Sequence, residues 1–529
     1  MGLKAVSTFG MSLSRLGAQP KLQLVGQRCG MNGQQGTISG YGGHYNTSHQ
    51  RMFFPNGADA IQLVFPNFYQ TGGNGELSLP PSMYTAVDVS YSGGTGYAAG
   101  DIDTFAISSS TGIAAVKVMI TAVSSGVPLS VEVIDGGLYN TQLSPGASPA
   151  STSGSGTGAT ATFKWKAGGA GLHIGIEKVW NTLSSNGPNA IESASRGLVP
   201  LANTSKNLNL LIPLEDFLIT DLIEVDIPVG SYVGLRLSYG YGTTELGRIP
   251  ISSGFAPNAP TANYEAAFYG STFTDYSTSG SIGTSRTSAM IQPIAVMGIP
   301  KQQGVTIVGI GDSRCYGVSS GLNVVAGLDP MDNDGNLGWL EKALSSFTGK
   351  CVWPFSNIST QGDVLQKFVY TNYTMGKGRL RAIGLIQPTA VYFGLNYNDM
   401  ASQTLATIKS WEQQAINELR GMGVKYVFTD TTDPSTTSTD SWATTTNQTQ
   451  TASSANQIAR NASLRAGTWA TYDFFIDQAV NTESSIGSGL WAVNGTANYY
   501  TGDGVHTSPQ GIALKAATAA AVMAANITL

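Results

Sequence analysis

Two patterns of apolar and polar positions divide the chain. From about Leu22 to Pro300, short apolar runs recur between Gly, Asn, Pro and Ser, as in Ala60–Pro66, Leu208–Pro213, Leu222–Pro228 and Ser231–Tyr239. Several alternate with period two, and few helical periods appear. That predicts many short strands joined by turns, an all-β jelly roll or β-sandwich over 25–300 behind an N-terminal arm, 1–24. Inside it, 87–166 reads as an inserted β-module. It opens on the glycine-rich Ser90–Asp101 and closes on Ser144–Thr162, a Ser/Gly/Thr/Ala run with the composition of a flexible linker.

From Gly304 the period changes. The apolar segments Val305–Ile310, Cys351–Phe355, Thr389–Phe393, Val424–Thr429 and Tyr472–Ile476 read as strands. Between them lie helical patterns at Asn336–Phe347, after Gly362, at Ser402–Arg420 and at Ala455–Arg465. A last helix over Pro509–Ala525 has Ser508 as N-cap and Pro509 in its first turn. Alternating strands and helices predict a parallel sheet covered on both faces, a three-layer α/β domain over 301–529. Reactive groups of such sheets sit at the carboxyl ends of strands.

Composition narrows the classes. Of 529 residues only 12% are charged, against about 25% in an average soluble domain, and the net charge is −5. A chain this weakly charged and not basic is not a nucleic-acid binder by composition. With 41% hydrophobic residues it is no disordered tail. No apolar run is long enough to span a membrane as a helix, and Met1–Gln19 lacks the apolar stretch of a signal peptide. Cys29, Cys315 and Cys351 make neither a disulfide framework nor a zinc-type spacing.

The strand Val305–Ile310 runs into Gly311-Asp312-Ser313, which places a serine at the mouth of the sheet. Serine needs a general base. Of four histidines only His506 lies in the α/β half, in Asp503-Gly504-Val505-His506, where the carboxylate is close enough to orient the ring. Gly362 follows the second strand, and Gly394-Leu395-Asn396 follows the third. A glycine N–H and an asparagine amide are suitable oxyanion donors.

These four blocks, in this order, resemble the SGNH (GDSL) hydrolase family. His506–Gly511 (HTSPQG) also fits the last block. The resemblance implies a flavodoxin-like sheet and a serine esterase without metal or organic cofactor. It makes Ser313 the nucleophile, His506 the base and acid, and Asp503 its orienter. Ser313 N–H, Gly362 N–H and Asn396 would form the oxyanion hole. The third block of the family usually reads Gly-x-Asn-Asp, whereas here Gly394-Leu395-Asn396-Tyr397-Asn398-Asp399 also offers Asn398. Asn396 keeps the Gly-x-Asn spacing.

The N-terminal half is similar to β-modules of bacteriophage virion proteins and to jelly rolls that precede polysaccharide-active SGNH domains. That similarity implies a tail or other virion protein, assembled in the host cytoplasm and acting outside the cell. It would remove O-acetyl groups from a bacterial surface polysaccharide beside other virion proteins. Virion fibres and spikes are frequently trimers, so a homotrimer is an expectation, although no heptad stretch enforces one. The competing reading is a glycan-binding or structural virion protein with a vestigial hydrolase domain.

Trp442, Trp491, Tyr499 and Tyr500 flank the site in sequence and are candidate sugar-stacking residues. Pro330–Glu341 partly resembles a calcium loop through Asp332, Asp334, Gly335 and Glu341, but Pro330 stands where the first acid belongs, so it reads as a polar turn. His44 and His49 lack nearby carboxylates and read as surface residues, and Cys315 as a packing residue.

Overall fold

The structure is a computed structural model that describes residues 22–26, 29–30, 45–66, 68–71, 75–78, 83–107, 112–176, 199–201, 210–213, 217–240, 251–253, 266–270, 289–291, 293–317, 338–345, 351–369 and 378–529. In the C-terminal part, six parallel strands form one sheet. Their order is Cys29–Gly30, Phe355–Asn357, Ile307–Gly311, Ala390–Gly394, Tyr426–Asp430 and Phe474–Ile476. Without the first, the order is second-first-third-fourth-fifth, the flavodoxin-like arrangement. Its direction reverses between Ile307–Gly311 and Ala390–Gly394, and ligands bind at the carboxyl ends beside such a reversal. Every residue of these two strands is buried, as expected for strands covered on both faces.

Alternate residues of the strands serve opposite layers. Val308, Ile310, Val391 and Phe393 pack on Leu380, Ile383, Ile408, Ile416 and Leu419 of the helices Gly378–Ile386 and Leu405–Gly421. Ile307, Ala390, Tyr392 and Phe428 pack on Trp339, Leu340, Ala516 and Met523 of Trp339–Ser345 and Pro509–Asn526.

Two antiparallel sheets make up most of the N-terminal part. One contains Gln23–Leu24, Ala295–Ile299, Ala58–Pro66 and Phe217–Ile219, with Ile223–Ile227 beside Ala58–Pro66. The other is nine-stranded and centred on Tyr45–Phe54, Ser231–Gly240, Thr157–Ile176 and Met83–Thr95. Ile61, Leu63 and Phe65 of the first interleave with Phe54, Val233, Leu235 and Leu237 of the second. This part is not joined to the α/β part by a free linker. Leu24, Val64, Ala295 and Met297 share the core of Val308 and Ile310. Ser356 Oγ donates to the Ile294 carbonyl at 2.6 Å. Cys29–Gly30, placed inside the β region by the sequence pattern, forms the edge strand of the α/β sheet.

The module of 87–166 grows out of continuous strands. Trp165 pairs with Ala86 and Lys166 with Thr85 across the supposed boundary. Residues Thr157–Thr162 of the low-complexity run are ladder, paired with Ser90–Thr95, and not linker. Phe105, Val116, Val118, Tyr139 and Phe163 form the module's own core.

Candidate active site

Strand Ile307–Gly311 ends on Asp312, whose side chain caps the next turn by accepting from Arg314 N at 3.0 Å. The turn Ser313–Tyr316 closes at Gly317, and Ser313 sits at its start, 5% exposed. His506 Nε2 lies 2.8 Å from Ser313 Oγ, and His506 Nδ1 lies 2.7 Å from Asp503 Oδ2. Asp503 Oδ1 accepts from the backbone N–H groups of Val505 and His506, both at 2.8 Å. Burial works against the Asp503 charge. The hydrogen bonds from the His506 ring and from these N–H groups outweigh it and hold the carboxyl at about 2. An ionised Asp503 accepts a hydrogen bond from Nδ1–H and so keeps the proton on that nitrogen, which leaves the lone pair of Nε2 facing the serine hydroxyl.

The other two blocks arrive by sheet register. Gly311 pairs with Gly394, so Ser313 and Asn396 each lie two residues beyond paired strand ends. Thr360 N donates to the Gly311 carbonyl at 3.0 Å and brings Gly362 alongside. Gly362 has φ +71, which an L side chain rarely adopts. Asn398 is spent elsewhere: its Nδ2 donates to the Asp363 carbonyl at 2.7 Å. Asp399 accepts from Leu365 N at 2.6 Å and so fastens this loop to the helix after Gly362. Asn396 is 4% exposed, and its Oδ1 accepts from Thr432 Oγ1 at 3.0 Å. Among the described residues nothing accepts from its Nδ2 within hydrogen-bond reach.

Behind the triad, Asp433 gathers four partners. Its Oδ2 accepts from Lys515 Nζ and from Thr507 Oγ1, its Oδ1 from Thr482 Oγ1, and its carbonyl from Arg314 Nη1. Burial opposes its charge, but Lys515 and Arg314 hold its carboxyl below the usual range. Thr507 follows His506 and Arg314 follows Ser313, so one buried residue, through its carboxylate and its backbone carbonyl, ties both segments together. Asp433 and Thr432 carry no motif of their own in the sequence. Their position directly after a buried strand was the available signal.

The aromatic candidates separate. Trp491 is fully buried, and its Nε1 donates to the Gly504 carbonyl at 3.0 Å. It has no ring face to offer a sugar, which corrects its assignment as a stacking residue. Trp442 is half-buried, and its Nε1 donates to Thr436 Oγ1 at 2.9 Å. Tyr499 and Tyr500 are half-buried and meet edge to face at 4.8 Å. Cys315 is buried, and burial pushes its thiol well above the ordinary value. Glu341 is buried and accepts from Asn357 Nδ2 at 2.8 Å, whereas Asp332, Asp334, Gly335 and His44 lie outside the described residues.

Burial also pushes the Asp430 carboxyl up to about 6, against the pull of Lys515. The folded state therefore holds this proton more tightly than the unfolded chain. Stability falls as pH rises from about 4 to about 6 and stays lower above that. Asp430→Asn removes the decline. Its stability relative to the parent protein is expected to rise between pH 4 and pH 7 by up to about 3 kcal/mol. Urea denaturation across that range measures it, and parallel curves for the two proteins would refute it.

No family model matches the chain, and no curated protein matches it by sequence. Among solved structures it is similar to a lipase/acylhydrolase from Enterococcus faecalis, 17% identical with TM-score 0.26, over 42% of this chain and 98% of that one. It is also similar to an alpha/beta hydrolase enzyme from the metagenome of Lake Arreo, 13% identical with TM-score 0.28, over 42% and 95%. A third likeness is to a salicylyl-acyltransferase from a tetracycline biosynthetic pathway, 10% identical with TM-score 0.28, over 67% and 79%.

Proposed function

We propose that the chain is a serine ester hydrolase acting through Ser313, His506 and Asp503. One observation carries the reading: the continuous relay of 2.8 Å and 2.7 Å from the serine hydroxyl through the imidazole to an ionised carboxylate. It lies at the sheet's reversal point, where such folds bind ligands. Ser313 Oγ attacks the ester carbonyl carbon while its proton passes to His506 Nε2. The carbonyl oxygen becomes an oxyanion facing the Ser313 and Gly362 N–H groups and Asn396 Nδ2. His506 returns the proton to the departing alcohol, leaving the acyl group on Ser313. Water then attacks that ester as His506 takes its proton, the bond from Ser313 Oγ to the acyl carbon breaks, and His506 returns the proton to Oγ as the carboxylic acid leaves.

The substrate class of this proposal is an O-acetylated bacterial surface polysaccharide, and the setting is a virion in which the β-rich part joins other particle proteins. The composition, low in charge and rich in Gly, Ser and Thr, supports that setting, as does the half-buried Trp442 beside the Asp503–His506 turn. Incubation with p-nitrophenyl acetate and an acid quench should leave acetyl on the Ser313 peptide by mass spectrometry, and an acetylated capsular polysaccharide should release acetate. Ester turnover that persists in Ser313→Ala would overturn the mechanism. Turnover of the nitrophenyl ester without acetate release from any acetylated glycan would overturn the substrate class.

A further inference from the structure

The helix Ser454–Arg465 turns a buried polar face toward one residue of the site's rim. Asn461 Oδ1 accepts from Thr432 N at 2.9 Å, and Asn461 Nδ2 and Gln457 Nε2 donate to the Thr432 carbonyl at 2.8 and 3.1 Å. Arg460 Nη1 donates to Thr432 Oγ1 at 3.3 Å and to the Asp430 carbonyl at 2.9 Å. Arg460 is itself gripped by both oxygens of Glu412, at 2.8 and 3.1 Å, and both side chains are 0% exposed. Trp469 Nε1 and Tyr472 OH donate to the same carboxylate at 2.9 and 2.6 Å. None of these groups takes part in the acyl-transfer steps. A wholly buried ion pair is also a poor source of stability, because desolvation cancels most of its attraction.

We propose that Thr432 is a positioning residue that decides which end of the Asn396 amide faces the reacting carbonyl, with Arg460 and Glu412 fixing the direction of its hydroxyl. This rests on the reading of Asn396 as an oxyanion donor. The two ends of an asparagine amide have nearly the same shape, and only the NH₂ end can stabilise an anion. A guanidinium only donates, so at the Arg460 contact the Thr432 oxygen is an acceptor and its single proton remains to be placed. The Asn396 oxygen takes it at 3.0 Å. Were the amide reversed, its NH₂ would face a hydroxyl that already accepts from Arg460, and the Thr432 proton would have no partner in a buried site. An unsatisfied buried donor is penalised, so the reversed amide is the minor form. The network thus holds the donor ready before substrate arrives, which is where electrostatic catalysis gains most.

The test is a double-mutant cycle with p-nitrophenyl acetate. Thr432→Val keeps the side-chain shape and deletes the hydroxyl. It should lower kcat by about ten- to a hundredfold, less than the roughly 10²–10³ that loss of a whole oxyanion donor costs, and leave KM within about twofold. Thr432→Ser should recover most of the lost kcat. In an Asn396→Ala background, Thr432→Val should cost nothing further, because its partner is gone. Parental kcat in Thr432→Val, or losses that multiply in the double variant, would overturn the proposal. If the parent protein neither turns over esters nor acylates Ser313, the esterase reading fails by itself. The orientation is then read from the side-chain NH₂ resonances of Asn396, identified by their loss in Asn396→Ala. They should shift in Thr432→Val and return in Thr432→Ser, and resonances indifferent to both would sink the inference.

Discussion

His506→Ala is expected to lower kcat for p-nitrophenyl acetate on the order of 10⁶-fold, and Asp503→Asn about 10⁴-fold, with the fold retained in both. The two losses differ because the residues do different work. In the proposed mechanism His506 carries the proton from Ser313 Oγ to the leaving alcohol, and without it the hydroxyl at 2.8 Å has no base. Asp503 never carries that proton. With its carboxyl held at about 2 it is ionised throughout the neutral range, and it selects the tautomer whose Nδ1 is protonated. An asparagine there can turn its NH₂ toward Nδ1, which moves the ring proton to Nε2 and points a donor at the serine. Retention of fold is expected because the His506 and Asp503 side chains are 16% and 42% exposed, so neither truncation opens a core cavity. Far-UV and near-UV circular dichroism check that point. Asp503→Asn within tenfold of the parent protein would mean that the carboxylate does not set the tautomer.

The parts of the site that were legible in the sequence are those fixed by local chemistry at strand ends. Ile307–Gly311 and Ala390–Gly394 are fully buried parallel strands, so they stand out as unbroken apolar runs, and the reactive residues follow them directly. Asp503 and His506 share one turn, so their pairing is a matter of three residues. Legibility ended where a tertiary partner decides. Spacing alone favoured Asn396, but Asn398 is removed from the site only by a carbonyl 35 positions earlier, that of Asp363. The second strand is displaced to Phe355–Asn357, because its polar Ser356 and Asn357 are satisfied by Ile294 and Glu341, partners that no local pattern announces. The helix Gly378–Ile386 was missed since it is buried on most of its circumference and shows little amphipathic contrast. Trp491 and Trp442 look alike in sequence, yet one is sealed beneath the Asp503–His506 turn and the other packs against it.

That turn yields the second large effect: Gly504→Ala is expected to reduce kcat by about 10²-fold or more, although Asp503 and His506 are both still present. Gly504 has φ +77, where an L residue is strained. A Cβ built on it collides with the Thr436 carbonyl oxygen and reaches 2.6 Å from Trp442 Cζ2. The turn cannot easily yield, because it is held from every side. Gly504 N donates to Thr501 Oγ1 at 2.9 Å, and its carbonyl accepts from Thr436 N and Trp491 Nε1, both at 3.0 Å. Thr501 Oγ1 in turn donates to the His506 carbonyl at 2.8 Å. Relief of the collision must therefore move the segment that carries both His506 and Asp503, and the 2.8 Å approach of Nε2 to Ser313 Oγ lengthens with it. Because the fault is geometric, kcat should fall far more than KM rises. Gly504→Ala combined with Trp442→Ala should recover little, since the obstructing carbonyl belongs to the backbone. A Gly504→Ala protein within threefold of the parental kcat would show that the Asp503–His506 turn is not the rigid cradle these contacts describe.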